Sequence, residues 1–262
     1  SLGVAVAPVT MALFGAAWRP AYDTFAVLAA LALVAAFVFL PRRKPVTADS
    51  PSPAVTSRRG PSRQQIADIV RLGLLGGVMG VVSALYWVFA PDFAVHAGGL
   101  APEAGAWIWL AVGIGGFAGV GAGDLVARHG LAISHAFAMA VLAAALTLLA
   151  AAPGNLALAI ASAAVFGAAY MTLTGIYLVA STEIRADRPA AGPVVPFLAI
   201  ASGQVAGSAL GGGLVEALSY GTSFGAFAAL GLGASLVSLA FDAPSRRSAV
   251  PAPAVEGLPC EG

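Results

Sequence analysis

Long apolar runs, separated by short polar breaks, make up most of the chain. A membrane-spanning helix needs about 20 mostly apolar residues. Seven runs reach that length after a shorter apolar opening at 2–14, and they cover 21–40, 69–90, 105–126, 132–151, 156–180, 194–218 and 223–241. Each run is continuously apolar, whereas the strand of a membrane β-barrel alternates polar and apolar positions over about ten residues. The pattern predicts an all-α polytopic membrane protein.

The polar breaks predict how these helices are grouped. Most breaks are short and contain Pro or Gly, which are typical of turns. The break at 41–65 is longer and rich in Pro, Ser and Arg, so it predicts a flexible linker. Ser62 and Gln65 form a capping-box pattern that predicts the start of the next helix. We expect four regions: the end of an N-terminal transmembrane half at 1–40, a cytoplasmic basic linker at 41–65, a six-helix bundle at 66–241 and a disordered cytoplasmic tail at 242–262.

Composition supports a lipid environment for the apolar runs. Hydrophobic residues make up 59% of the chain and charged residues 10%, whereas soluble proteins carry roughly 25% charge. The net charge of +1 gives no field that would attract nucleic acid. We therefore expect the lipid bilayer, and not nucleic acid, as a partner.

The distribution of basic residues predicts the orientation. When the helices are threaded alternately across the membrane, every Lys and Arg except Arg19 falls on one side. Basic residues near helix ends are retained on the cytoplasmic side. The chain is therefore expected to be a multi-pass protein with a cytoplasmic C-terminus. The use of Arg over Lys, with much Ala and Gly, favours a bacterial source and hence the bacterial cytoplasmic membrane.

Glycines recur at a spacing of four residues on single helix faces. The three stripes are Gly73 and Gly77; Gly115, Gly119 and Gly123; and Gly203, Gly207 and Gly211. Such stripes let helix backbones approach closely. They predict tight packing, and they are also compatible with helices that slide or rock against one another.

The segment GDLVARHG at 123–130 connects two predicted helices on the cytoplasmic side. It resembles the Gly-x-Leu-x-Asp-Arg-x-Gly loop signature of the major facilitator superfamily at Gly123, Leu125, Arg128 and Gly130. In that family the charges of this loop latch the two halves of the transporter during alternating access. Ala127 stands where the family usually has Asp, and Asp124 is the acid that would substitute for it. The pair Trp18-Arg19 also resembles the Trp-Arg pair that follows the fifth helix of such transporters.

The resemblance implies a fold and a function. On this alignment 2–14 is the remainder of helix five, 21–40 is helix six, and 66–241 holds helices seven to twelve. The chain would be the C-terminal part of a transporter, with the missing N-terminal half of the same protein as its partner. The implied function is secondary active transport of a small molecule by alternating access, driven by a proton or solute gradient and without a cofactor.

Polar and aromatic residues inside the spans are the candidates for a substrate cavity, because a polar group in hydrocarbon usually faces the bundle interior or a water-filled path. The candidates are Tyr86, Trp87, Tyr170, Thr174, Tyr177 and Gln204. Two other interpretations are helix-to-helix hydrogen bonding and, for the tyrosines and tryptophans near helix ends, an interfacial aromatic belt. The belt is also the interpretation for Trp107 and Trp109. Asp92, directly after Pro91, is the candidate for protonation and coupling, and a solvated loop acid is its alternative.

Enzyme chemistry finds little support in the sequence. Tyr22-Asp23 and the GAGD segment ending at Asp124 imitate an aspartyl-protease pair, but topology separates the two carboxylates by a membrane thickness of about 30 Å. His96, His129 and His135 are distributed over an outer loop, an inner turn and a helix start, so no metal site is expected, and His135 is interpreted as interfacial. We expect no enzyme activity. A non-transporting membrane scaffold remains the alternative to a transporter.

Overall fold

Helices account for the secondary structure of the chain wherever it is described. The computed structural model describes residues 18–39, 60–186 and 188–242, and these ranges contain helices and turns but no strand. The α-helices are α1 (Trp18–Phe39), α2 (Arg63–Asp92), α3 (Ala104–Gly115), α4 (Ala122–His129), α5 (Leu131–Ala151), α6 (Leu156–Ile184), α7 (Val194–Ala217) and α8 (Tyr220–Asp242). A π-helical turn, Phe93–Ala97, extends α2, and 3-10 turns occupy Gly116–Gly121 and Pro189–Ala191. The prediction of an all-α fold is confirmed.

Six helical segments in the described residues are long and apolar enough to cross a membrane. They are Arg63–Ala97, Ala104–His129, Leu131–Ala151, Leu156–Ile184, Pro189–Ala217 and Tyr220–Ala240. These match six of the seven predicted spans. The seventh corresponds to α1, whose apolar stretch Asp23–Ala35 is shorter. The predicted opening segment 2–14, most of the linker and nearly all of the tail lie outside the described residues.

The start of α2 follows the predicted capping box. The Ser62 hydroxyl accepts a hydrogen bond from the Gln65 backbone N–H at 3.1 Å, and the Gln65 side chain accepts from the Ser62 N–H at 2.9 Å. The Gln65 amide also donates to the Ile184 carbonyl at 3.1 Å, which joins the start of α2 to the end of α6. The two residues therefore set both the helix boundary and a contact between helices.

The six segments run alternately up and down. The arginines of the described bundle all lie near helix ends on one side, here termed the basic end: Arg63, Arg71, Arg128, Arg185 and Arg188. The other side, where α2 ends and α8 begins, is termed the opposite end. Helix α2 packs along α7 and meets α6 and α8, α3 packs on α6, and α5 packs on both α6 and α8.

Two of the glycine stripes form close helix contacts. On α7, a Cβ added to Gly203 would overlap the Gly77 carbonyl oxygen of α2, and one added to Gly207 would lie 2.8 Å from the Ala84 side chain. On α3 and the turn after it, a Cβ at Gly115 would overlap the backbone of Ala164 on α6. The small residues thus allow backbone contact between helices, as predicted. Gly123 differs, since nothing would lie within 4 Å of an added Cβ there.

The span predicted as one helix at 105–126 is interrupted. Its middle, Gly116–Gly121, forms a 3-10 turn between α3 and α4. A 3-10 helix rises about 2.0 Å per residue against 1.5 Å in an α-helix. A Cβ at Gly119 in this stretch would lie 2.8 Å from Met171 on α6. The glycines therefore combine a tighter winding with close approach to α6, which an apolar pattern alone does not reveal.

Candidate functional site

Three of the predicted cavity residues meet between α2, α6 and α7. The Gln204 amide nitrogen on α7 donates a hydrogen bond to the Tyr170 hydroxyl on α6 at 3.0 Å. The Trp87 ring on α2 stands edge-on to the Tyr170 ring, with 5.2 Å between ring centroids. All three side chains are half-buried. We refer to Trp87, Tyr170 and Gln204 as the polar trio.

The polar trio lies in a groove between two helices that scarcely touch each other. Helices α6 and α7 both pack against α2, while contact between them is slight. Tyr170 is near the middle of the 29-residue α6, and Gln204 is near the middle of the 24-residue α7. The Gln204 to Tyr170 hydrogen bond therefore bridges the groove near the centre of the bundle.

The polar trio retains unused hydrogen-bonding capacity. Trp87 Nε1 is buried and makes no hydrogen bond of normal geometry among the described residues, although the Tyr170 hydroxyl is nearby. Because the Tyr170 oxygen accepts from Gln204, its own hydrogen remains free to donate. A buried donor without an acceptor costs roughly 1–3 kcal/mol, so the Trp87 indole calls for a functional explanation.

Aromatic rings surround the polar trio. Trp87 stacks on Trp109 of α3 with 5.5 Å between centroids, and Phe166 stacks on Tyr170 with 5.9 Å. Phe166 also stands edge-on to Trp87 at 5.5 Å. Trp109, interpreted from sequence as a belt residue, is therefore part of this cluster. Trp109 lies on a different helix from Trp87, so residue spacing in the sequence did not predict that the two rings meet.

Thr174 and Tyr86 lie beside the polar trio with their hydroxyls already paired. The Thr174 hydroxyl donates to the Tyr170 carbonyl at 2.8 Å, one turn along α6. Tyr86 is fully buried, stacks on Phe166 at 4.0 Å and bonds to the Ser162 hydroxyl at 2.9 Å. Ser162 in turn donates to the Ala145 carbonyl at 2.7 Å. Tyr86 is thus directed into the core between α5 and α6.

Tyr177 belongs to a separate buried cluster. It is completely buried, and its hydroxyl lies 2.6 Å from His135 Nε2 on α5. His135 Nδ1 lies 2.8 Å from the Ser238 hydroxyl on α8. The interpretation of His135 as an interfacial residue was wrong, because its side chain is 1% exposed. Its position near a helix start suggested an interface, but packing against α6 and α8 encloses it.

Asp92 joins two helices at the opposite end. One carboxylate oxygen accepts a hydrogen bond from the Tyr220 hydroxyl at the start of α8. The other lies 2.6 Å from His96 Nδ1, one turn along the helix. Phe93 stacks on the Tyr220 ring at 5.2 Å. Sequence analysis singled out Asp92 but did not identify its two partners. Tyr220 lies 128 positions away in the sequence. His96 was identifiable as a partner, because residues i and i+4 are neighbours on a helix.

The loop motif forms the helix α4 and its end. Asp124 and Arg128 are exposed, and neither has an ion pair among the described residues. The Leu125 carbonyl accepts from the Ser134 hydroxyl at 3.0 Å, which closes the turn into α5. Gly130 is the whole connection, with φ 81 and ψ 164. That backbone region is essentially restricted to glycine, so this glycine of the motif is required by the turn.

Among the described residues, no group of three or more His, Cys, Asp or Glu side chains is placed to hold a metal ion. The candidate site is an aromatic groove with a few hydrogen-bonding groups near the middle of the bundle. Most small-molecule sites in proteins share that general composition.

Comparison with known protein families gives a match. The family described as "Uncharacterised MFS-type transporter YbfB" matches residues 1–242. Among curated proteins and solved structures, no significant match to the chain was found. The family match covers α1 to α8 and every candidate residue described above.

Proposed function

The chain belongs to the major facilitator family of YbfB-type transporters, a class of transporters and not of enzymes, and from this membership we propose secondary active transport of a small molecule by alternating access. The proposed location is the bacterial cytoplasmic membrane, with the basic end facing the cytoplasm. The segregation of the arginines supports this orientation.

We propose the groove between α6 and α7 as this chain's part of the substrate cavity. The observation that carries the proposal is the polar trio, in which a hydrogen bond bridges the groove and a buried indole N–H makes no hydrogen bond of normal geometry within the described part of the chain. Polar groups inside a membrane bundle usually face a pathway or a partner helix. Thr174 extends the lining towards the basic end, while Tyr86 and Tyr177 support the rings and helices behind it.

The proposed mechanism requires a second six-helix half, which we expect from the N-terminal part of the same protein. Rocking of two halves exposes a midplane site alternately to each side. Asp124 and Arg128 are exposed at the basic end, and their charges are available to a partner across the cytoplasmic face. They are proposed as one side of a cytoplasmic latch, with Gly123, Leu125 and Gly130 forming its turn.

Asp92 is proposed as the protonation point that couples transport to a gradient. Its carboxylate is shared between Tyr220 on α8 and His96 on its own segment. Protonation would remove one negative charge from a contact between α2 and α8 at the opposite end. Such a contact has two states, bonded and released, and coupling requires an element of that kind.

The experiment that tests transport is cysteine accessibility in the full-length protein. The chain has one native cysteine, Cys260, so the background combines Cys260→Ser with replacement of any cysteine in the N-terminal half. Gln204→Cys and Tyr170→Cys are then labelled with a membrane-impermeant thiol reagent from each side in turn. Labelling of both sites from either side, at rates that change with the conformational state, is the expected result.

Leu232→Cys is the matched control, because Leu232 is near the middle of α8 and is exposed on the bundle surface. A lipid-facing site should remain unlabelled from both sides. If Gln204→Cys and Tyr170→Cys behave like the control, the groove is not a pathway and the scaffold alternative gains support.

A further inference from the structure

The polar trio presents more hydrogen-bond donors than acceptors. The Trp87 N–H on α2 makes no hydrogen bond of normal geometry among the described residues and lies near the Tyr170 hydroxyl on α6. The Tyr170 oxygen accepts from Gln204, so the Tyr170 hydrogen is available to a further acceptor. Gln204 uses one of its two amide hydrogens on Tyr170, and its carbonyl oxygen is the acceptor of the group. Donation from Gln204 also polarises the Tyr170 hydroxyl, which strengthens it as a donor. Two neighbouring donors favour a ligand that carries an exposed oxygen or nitrogen acceptor.

The groove lacks a counter-charge for an ionic ligand within the described chain. The acids and bases whose side chains are described in the helices lie towards the ends of the spans: Asp23, Arg63, Asp68, Arg71, Asp92, His96, Asp124, Arg128, His129, Glu183 and Glu216. His135 is the buried exception, and both of its ring nitrogens are bonded, to Tyr177 and Ser238. Burying an unpaired charge at membrane depth costs several kcal/mol. A neutral ligand avoids that cost.

Stacking reduces the ring faces that are open to a cation. A cation–π contact needs an open ring face within about 6 Å. Trp109 covers one face of Trp87, and Phe166 covers one face of Tyr170. The stacked rings form a flat apolar wall, and such a surface pairs well with another aromatic ring.

From these three features we propose that the polar trio recognises an uncharged aromatic molecule bearing a hydrogen-bond acceptor, such as a carbonyl group or a ring nitrogen. The inference rests on the proposed transport function and names the substrate class of the same site. Trp87 and Tyr170 donate to the acceptor, the surrounding rings hold the aromatic body, and Gln204 holds the Tyr170 hydroxyl in place.

Four small probes test the proposal on the full-length protein in lipid nanodiscs. Benzamide has the proposed features, benzoate adds a negative charge, benzylammonium adds a positive charge, and cyclohexanecarboxamide lacks the ring. Binding is followed by ligand-observed saturation-transfer NMR. We expect benzamide to bind at least tenfold more tightly than each of the others.

Variants then assign the selectivity to the polar trio. Tyr170→Phe and Trp87→Phe each remove one donor and keep an aromatic ring, and each should weaken benzamide binding about tenfold, in line with the loss of one buried hydrogen bond. Ser208→Ala is the control, because the Ser208 hydroxyl donates to the Gln204 backbone carbonyl and not to a side chain of the polar trio. Two donor variants are used so that a folding failure in one leaves the other informative.

Every other outcome overturns the proposal. Tighter binding of benzylammonium or benzoate than of benzamide would indicate a site for ions. Equal binding of all four probes, or no binding of any of them, would contradict the proposed selectivity. Benzamide binding unchanged in both donor variants would place the probe elsewhere. Cysteine accessibility at position 204 is measured separately, so a groove that opens to water but rejects benzamide contradicts the substrate class and leaves the transport function standing.

Discussion

His135 Nε2 on α5 lies 2.6 Å from the Tyr177 hydroxyl on α6, and both residues are buried in the bundle. The pattern of donors fixes the tautomer. The Ser238 hydroxyl donates to the Ala234 carbonyl at 2.8 Å, so it accepts from His135 Nδ1–H. Nε2 is then an acceptor, and Tyr177 donates to it. A neutral histidine therefore ties α5, α6 and α8 together.

Removing the Tyr177 hydroxyl should destabilise the bundle. In Tyr177→Phe the buried His135 Nε2 loses its donor, and we expect a loss of about 1–3 kcal/mol in the free energy of unfolding. Thermal unfolding in detergent, followed by circular dichroism, measures the change. Thr147→Val is the control, because Thr147 is exposed and bonds to its own helix, and it should change stability by less than about 0.5 kcal/mol. Equal stability of the two variants would contradict the tie.

The basic end should open when Gln65 is truncated. Gln65 completes the capping box of α2 and donates to the Ile184 carbonyl of α6, so Gln65→Ala removes two interactions at once. We expect a loss of about 1–2 kcal/mol and faster amide hydrogen exchange in the first turn of α2 and the last turn of α6. Gln64→Ala removes a bond between exposed Gln64 and Asp68 on the same helix. Gln64→Ala should leave amide hydrogen exchange in α6 unchanged. If exchange in α6 rises equally in both variants, the contact between Gln65 and Ile184 does not hold the two helices together.

Features set by neighbouring residues were predictable, and features set by distant ones were not. The Ser62 and Gln65 pattern gave the start of α2 correctly, because a capping box lies within four residues. The apolar runs gave six spans for the same reason. The contact of His135 with Ser238 spans 103 positions and that of Tyr86 with Ser162 spans 76. Such pairs depend on which helix faces meet, and periodicity in one chain does not encode that choice.

The candidate site illustrates the same division. Polar residues inside apolar runs singled out Tyr170 and Gln204 because such residues are rare there, and the two are joined by a hydrogen bond. Tyr177 shares a helical face with Tyr170 in the sequence but is buried at its own depth, where its hydroxyl meets His135 of α5. A stripe along one helix therefore predicts candidates, while the neighbouring helices decide which of them reach a common groove.

Neutralising Asp92, the proposed coupling residue, should uncouple the groove from external pH. Asp92 faces Tyr220 from α8 and His96 from its own segment. In the full-length protein we expect the labelling rate of Gln204→Cys to depend on pH at the opposite end. Adding Asp92→Asn should abolish that dependence, because the amide no longer gains or loses a proton. Glu216→Gln neutralises an exposed acid near the same end and should preserve it. A dependence that survives Asp92→Asn would exclude Asp92 as the coupling residue.

Gly203 should tolerate no side chain, because α7 and α2 meet there backbone to backbone. A Cβ at Gly203 would overlap the Gly77 carbonyl oxygen and lie 3.1 Å from the Val81 nitrogen, and rigid helix backbones cannot yield as a flexible side chain would. Gly203→Ala should therefore force α2 and α7 apart at a cost of about 1–3 kcal/mol.

Gly213→Ala supplies the control on the same helix, since nothing lies within 4 Å of an added Cβ there, and alanine should be neutral or stabilising by up to about 1 kcal/mol. Thermal unfolding of the two variants compares these expectations directly. Disulfide trapping between Gly73→Cys on α2 and Ala199→Cys on α7, whose Cβ atoms would lie 3.9 Å apart, is measured in the Cys260→Ser background with and without Gly203→Ala and reports the separation of the helices. If Gly203→Ala matches Gly213→Ala in stability and leaves trapping unchanged, the close packing of α2 and α7 is contradicted.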